Sequence, residues 1–209
     1  MKKERPILFS TDMVQAILEG RKTMTRRTKG LAEISINAGH TQHSYEGKIP
    51  TDNNIHAFAR MWGGHFAETK HIKCSYGQPG DILWVRETWC NDPRGSEDGI
   101  SPYYYFKADF PNTDVWKGSW KPSIHMPRKA ARIWLEITEI KAERLYSISR
   151  EDAIAEGCGN EGTDYPEGNF FALWRKINGI DSYQSNPWVW VITYKVLSTT
   201  GRPENLDLA

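Results

Sequence analysis

The chain has 209 residues, with 27 basic against 26 acidic side chains, 39% hydrophobic residues and 12% aromatic ones; it can bury a core as one elaborated domain, which excludes a disordered chain. A net charge of +1 excludes nucleic-acid binding by bulk charge alone, and three widely spaced cysteines, Cys74, Cys90 and Cys158, make a poor disulfide framework. The longest nearly apolar run, Trp188 to Tyr194, falls short of the roughly 18 residues of a bilayer span, and Met1 to Arg5 leads into no signal-type core, so the expected setting is cytoplasmic, away from membranes.

Arg5 to Phe9 reads as a short strand. Ser10 is placed to cap a helix over Thr11 to Glu19, in which Met13, Val14, Ile17 and Leu18 share one face. Gly20 stops it, and Lys22 to Arg27 alternates as a strand. Residues 28–78 mix Gly, Asn, His, Thr and Ser with weak periodicity and read as a surface insertion in which only Ile55 to Phe66 has a helical pattern. Gly77 to Asp81 is turn chemistry, followed by a strand over Ile82 to Thr88. Asn91 to Pro102 reads as loop, Tyr103 to Lys107 as a strand, and Pro111 to Pro127 as irregular.

Arg132 to Ile140 alternates as a half-buried strand. Ser149, three residues before Asp152, opens a short helix that stops at Gly157. Residues 158–168 read as a Gly-rich loop, Phe170 to Ile177 as an amphipathic helix ended by Asn178-Gly179, and Pro187 to Val196 as the closing strand. This order predicts an α+β fold, a small barrel-like sheet with helices packed outside. Residues 1–209 are expected to form a single domain, with a C-terminal tail from about 198 and a monomeric state.

The small net charge conceals sorting. Residues 1–30 hold eight basic side chains (Lys2, Lys3, Arg5, Arg21, Lys22, Arg26, Arg27, Lys29) against Glu4, Asp12 and Glu19, and 117–132 holds five basic and no acidic ones. Residues 149–168 hold Glu151, Asp152, Glu156, Glu161, Asp164 and Glu167 against Arg150 alone. Gly20 to Arg27 combines a tight turn, a lysine among cations and nearby hydroxyls. Neighbouring charge and burial both disfavour an ammonium, which would let Lys22 act as a base, with Thr25 as nucleophile or water-holder. A basic, solvated strand edge is the competing reading. On a regular strand, positions 22 and 25 face opposite sides, so a shared site needs a turn or bulge to re-aim Lys22.

Gly20, Lys22, Thr25 and Arg27 match Gly-x-Lys-x-x-(Glu or Thr)-x-Arg, and on this motif the chain resembles the ASCH family of the PUA-like superfamily. Arg5 to Phe9, Ile17 to Thr23, Gly80 to Trp89 and Ser123 to Arg128 are similar to a group of phage and prophage proteins carrying that domain. Threonine at position 25 makes the motif similar to that of small bacterial N4-acetylcytidine amidohydrolases. The resemblance implies Lys22 as proton acceptor, Thr25 as nucleophile and, from the stretch Ile148 to Glu156, Glu156 as proton donor. An ordinary exposed helix residue is the alternative for Glu156.

Arg26, Arg27, Arg86 and Arg128 are candidates for phosphate or base contacts through their planar forks, and Trp84, beside Arg86, for stacking on a base. Each arginine could equally serve a surface ion pair. Trp134, Trp174, Trp188 and Trp190 fit core positions, whereas Trp62, Trp116 and Trp120 lie in irregular segments open to a ligand. His65, His71 and Cys74, with Cys90, lack the spacing of a metal site, so no metal or cofactor is expected. The leading expectation is a cofactor-free amidohydrolase of an N4-acylated cytosine nucleoside or nucleotide. The alternatives are an RNA or single-stranded nucleic-acid binding module without chemistry, and an ASCH-type ribonuclease.

Overall fold

A computed structural model describes residues 2–31, 55–62, 65–91, 104–110, 119–159, 164–204 and 206, giving the backbone alone for 55–62 and 65–72. Residues 92–102 of the expected loop, 111–118 of the irregular segment, the loop centre at 160–163, Trp116 and residues 32–54 of the 28–78 insertion lie outside the described residues, as do the side chains of Trp62, His65 and His71.

Five strands form the main sheet, β1 (Glu4–Leu8), β2 (Met24–Arg27), β5 (Ile82–Arg86), β8 (Trp134–Arg144) and β9 (Trp188–Ser198), in the order β1-β5-β8-β9-β2. β1 runs parallel to β5 and every other neighbouring pair is antiparallel. Two further antiparallel two-stranded sheets are β3 (Ile55–Trp62) with β4 (His65–Lys73), and β6 (Trp89–Asn91) with β7 (Tyr104–Phe106). The helices are α1 (Thr11–Leu18), α2 (Arg150–Ala155), α3 (Pro166–Asn178) and α4 (Ile180–Gln184). The class is α+β.

No β1–β2 pairing closes the sheet among the described residues, yet it is curled. Four steps of about 4.8 Å would set the edge strands of a flat sheet roughly 19 Å apart, but Arg27 Nη2 on β2 donates to the carbonyl of Leu8 on β1 at 2.7 Å. Register shifts in the β8–β9 ladder at Trp134/Leu135 and at Ile137/Glu139 supply local twist and bend. α1 joins the two edges, and its Val14 and Ile17 pack with Phe9, Trp190, Ile192 and Tyr194 on one side of the sheet. Leu145, Ala153, Phe170, Trp174, Val189 and Val191 form the core on the other side. The alternation of β9 serves both layers at once.

Two expectations are corrected. Ile55 to Phe66 is a hairpin, not a helix. Ile55, Ala57, Ala59 and Met61 alternate at period two, and the sequence Gly63-Gly64 between the two runs is a hairpin-turn signal that outweighs the helical reading. The helix expected from Phe170 instead begins at Pro166, a residue suited to a first helical turn because it has no N–H to leave unpaired. Ser149 caps α2 as expected, its Oγ accepting from Asp152 N–H at 3.1 Å; Ser10 stands at the N-cap of α1 but its side chain makes no cap bond. Among the described residues no helix is long and apolar enough to cross a membrane.

Candidate active site

Lys22 is re-aimed by the way α1 ends. Gly20 takes the left-handed conformation, φ +73°, and the N–H groups of Arg21 and Lys22 both donate to the carbonyl of Ala16, at 2.8 and 3.0 Å. The chain thus wraps the helix terminus before β2 begins. Thr23 N–H donates to Ala155 O at 2.8 Å, and Lys22 forms an isolated antiparallel bridge with Glu156. Gly157 makes this approach possible: its φ is +83°, and a Cβ there would lie 3.0 Å from that of Ala16 and 3.3 Å from that of Lys22. The stop after α2 is therefore also the seat of Lys22.

The Lys22 side chain is 0% exposed and Glu156 is 4% exposed. Lys22 Nζ donates to Glu156 Oε2 at 2.7 Å, to the Glu156 carbonyl at 2.8 Å and to the Met24 carbonyl at 2.8 Å. Three acceptors match the three N–H groups of an ammonium, so the resting geometry is that of a charged lysine with no lone pair turned toward a ligand. Burial pulls the Lys22 pKa below its ordinary value, and the Glu156 carboxylate opposes that pull. A lysine base therefore requires proton transfer to Glu156 first.

Arg26 extends the network on the other side of β2. Its guanidinium reaches Glu156 Oε1 at 3.3 Å, Glu143 Oε1 at 2.6 Å and Asp152 Oδ2 at 2.5 Å, and lies 5.6 Å from the Phe170 ring centroid. Lys141 Nζ adds contacts of 3.3 Å to Glu143 and 3.7 Å to Asp152. Three cations thus meet three carboxylates, and Glu156 joins Lys22 to Arg26. So held, Arg26 orients Glu156 and is not free to clamp a phosphate.

Thr25, 2% exposed, and Arg27 project to the opposite side of β2 from Arg26, as their pairing with Ile192 and Trp190 requires. The Phe9 ring lies beneath this side, with Lys22 Nζ 5.7 Å and Arg27 Cζ 5.1 Å from its centroid. A cleft of about 200 Å³ runs along the edge of β2, lined by Thr25, Arg26, Arg27 and Glu156 and by Phe170, Leu173, Trp174 and Ile177 of α3. Met13 and Tyr76 also line it. Polar side chains together with aromatic and aliphatic ones in the lining suit a flat, hydrogen-bonding ring, and the volume lies below the roughly 300–1,000 Å³ of drug-sized sites. Burial and then Glu156 push the Cys158 thiol up to about 11, which disfavours its thiolate.

The structure joins Lys22, Glu156 and Arg26 in one ion-pair network and lines one cleft with Thr25, Arg26, Arg27 and Glu156, a cleft that Lys22 itself does not line. It sets Arg86, Trp84 and Arg128 elsewhere, since none of the three lines the cleft. Arg86 lies over the Trp84 ring at 5.6 Å and donates to Ile124 O, while Arg128 pairs with Glu4 over Trp134. Trp134, Trp174 and Trp190 are buried and Trp188 is half-buried; Trp120 sits against Phe110 with centroids 6.0 Å apart. Among the described residues no group of three or more His, Cys, Asp and Glu is placed to hold a metal. The sequence reading missed Glu143 and Asp152 as partners of Arg26 and missed the α3 lining of the cleft, for which the i, i+4 pair Phe170 and Trp174 was the available signal.

No family model and no curated protein matches the chain. Among solved structures, the chain is similar to protein EF3133 from Enterococcus faecalis V583, titled with family-model DUF984, at a TM-score of 0.42 and 9% identity, over 97% of this chain and 86% of that one.

Proposed function

We propose that the chain is a PUA-like protein of ASCH type, its curled sheet a variant of the small barrel, that hydrolyses the N4-acyl group of a modified cytosine nucleoside or nucleotide. The observation that carries this reading is the buried Lys22–Glu156 pair, bonded at 2.7 Å, beside a cleft that Thr25 and Glu156 both line. Transfer of a proton from Lys22 Nζ to Glu156 leaves an amine and a carboxylic acid. The amine takes the proton of Thr25 Oγ as that oxygen adds to the acyl carbon. Glu156 protonates N4 as the C–N bond breaks, cytidine leaves, and the acyl group remains on Thr25. A second Lys22-to-Glu156 transfer lets Lys22 deprotonate water, which attacks the ester; Glu156 returns a proton to Thr25 Oγ and the carboxylic acid departs.

The test is incubation of the chain with N4-acetylcytidine. Equimolar cytidine and acetate support the reading, and an unchanged substrate overturns it. One feature favours a second reading, binding of single-stranded nucleic acid without chemistry: all three Lys22 donors are engaged, as in a structural ion pair. Its mark is a gel shift with RNA that weakens steeply between two salt concentrations and no product.

A further inference from the structure

Two buried donors on the Thr25 side of the sheet have no hydrogen-bond partner among the described residues: Tyr194 Oη and Arg27 Nε. Tyr194 is 2% exposed. Leaving a buried donor unmet is costly, and native structures seldom do so without a reason such as a ligand or water. The register says where the two donors lie. Thr25 pairs with Ile192 and Arg27 with Trp190; Tyr194 N–H donates to Thr23 O at 3.0 Å. Ile192 and Tyr194 are two residues apart, so they share a side of β9, which is the side on which Thr25 and Arg27 project from β2. Tyr194 is then the diagonal neighbour of Thr25 across the strands, at about 7–8 Å between backbones, within reach of a tyrosine side chain. Arg27 lies two residues from Thr25 in the other direction. Both side chains converge on Phe9, whose ring centroid is 5.1 Å from Arg27 Cζ and 6.3 Å from that of Tyr194.

We infer that the Tyr194 hydroxyl and Arg27 Nε–H form a donor pair for the acyl oxygen of the substrate, flanking Thr25. The inference rests on the amidohydrolase reading and deepens it. As Thr25 Oγ adds to the acyl carbon, the carbonyl π electrons move onto oxygen; the two donors hold that charge until the C–O double bond re-forms and the C–N bond breaks. The electrostatics agree: burial first, and then the Glu156 charge, raise the Tyr194 pKa well above its ordinary value, so the hydroxyl keeps its proton at neutral pH.

The variant Y194F removes one oxygen and leaves the ring in place. In the full chain, with N4-acetylcytidine as substrate, kcat is expected to fall about 10²-fold, KM to change little, and the thermal midpoint to hold or rise because an unmet buried donor is gone. If the wild type turns over and Y194F keeps kcat within about twofold, the donor pair is overturned and the amidohydrolase reading stands. A parallel loss of kcat and thermal midpoint also overturns it, since a packing role would produce both. If the wild type itself releases no cytidine, the amidohydrolase reading falls and the donor pair falls with it.

Discussion

Glu156 is shared by two cations, and this sharing predicts an asymmetry. In K22M, Glu156 keeps Arg26 at 3.3 Å, and a side chain of similar length still fills the space beside Gly157. In E156Q, a 0% exposed ammonium loses its counter-charge, a change worth about 3–5 kcal/mol in buried pairs. Urea unfolding should therefore rank E156Q as the less stable variant; equal midpoints would show that Lys22 does not depend on Glu156. The depressed pKa of Lys22 fixes a second sign. Just below its ordinary value of 10.5, the folded lysine binds fewer protons than the unfolded one, so its contribution is most favourable above that pH and is lost as the pH falls. Over that alkaline window, stability should rise more steeply with pH in the wild type than in K22M, as read from unfolding curves at stepped pH.

At the scale of elements, the α1–β2 turn and the end of α2 form one device. Replacing Gly157 by alanine forces a side chain into a left-handed backbone, about 1–2 kcal/mol, and presses a methyl against Ala16 and Lys22. Stability should fall by at least that amount, whereas Ser149→Ala should cost only about 1 kcal/mol, the worth of one helix cap; both are checked by denaturant midpoints. Elements whose sequence carries its own punctuation were legible. Gly20 after α1, Gly77 to Asp81 before β5, Ser149 before α2 and Gly179 after α3 mark boundaries close to those observed. The β3–β4 hairpin was not, because its alternating alanines also satisfy a helical pattern, and α4 was not, because five residues following a glycine carry too little periodicity.

At the scale of the whole molecule, the sorted charges of the sequence meet in space: Lys22 and Arg26 from the basic N-terminal stretch face Asp152 and Glu156 from the acidic one. That pairing joins residues 134 positions apart, so no local pattern contains it, and Glu156 entered the sequence reading through family resemblance alone. Tyr194 and Glu143 were invisible for the same reason, being ordinary positions of long strands until the sheet curls. Curling also brings the β1 and β2 edges within reach of one arginine side chain and seats Phe9 beneath Lys22, Arg27 and Tyr194. On the proposed function, this edge holds an acyl-transfer site with Thr25 as its nucleophile. Its most direct measurement is cytidine release from N4-acetylcytidine by the wild type and by Thr25→Val, which keeps the shape of the side chain and removes its oxygen. Turnover by the wild type, reduced at least about 10³-fold in the variant, is the expected result; undiminished turnover in the variant would contradict the claim.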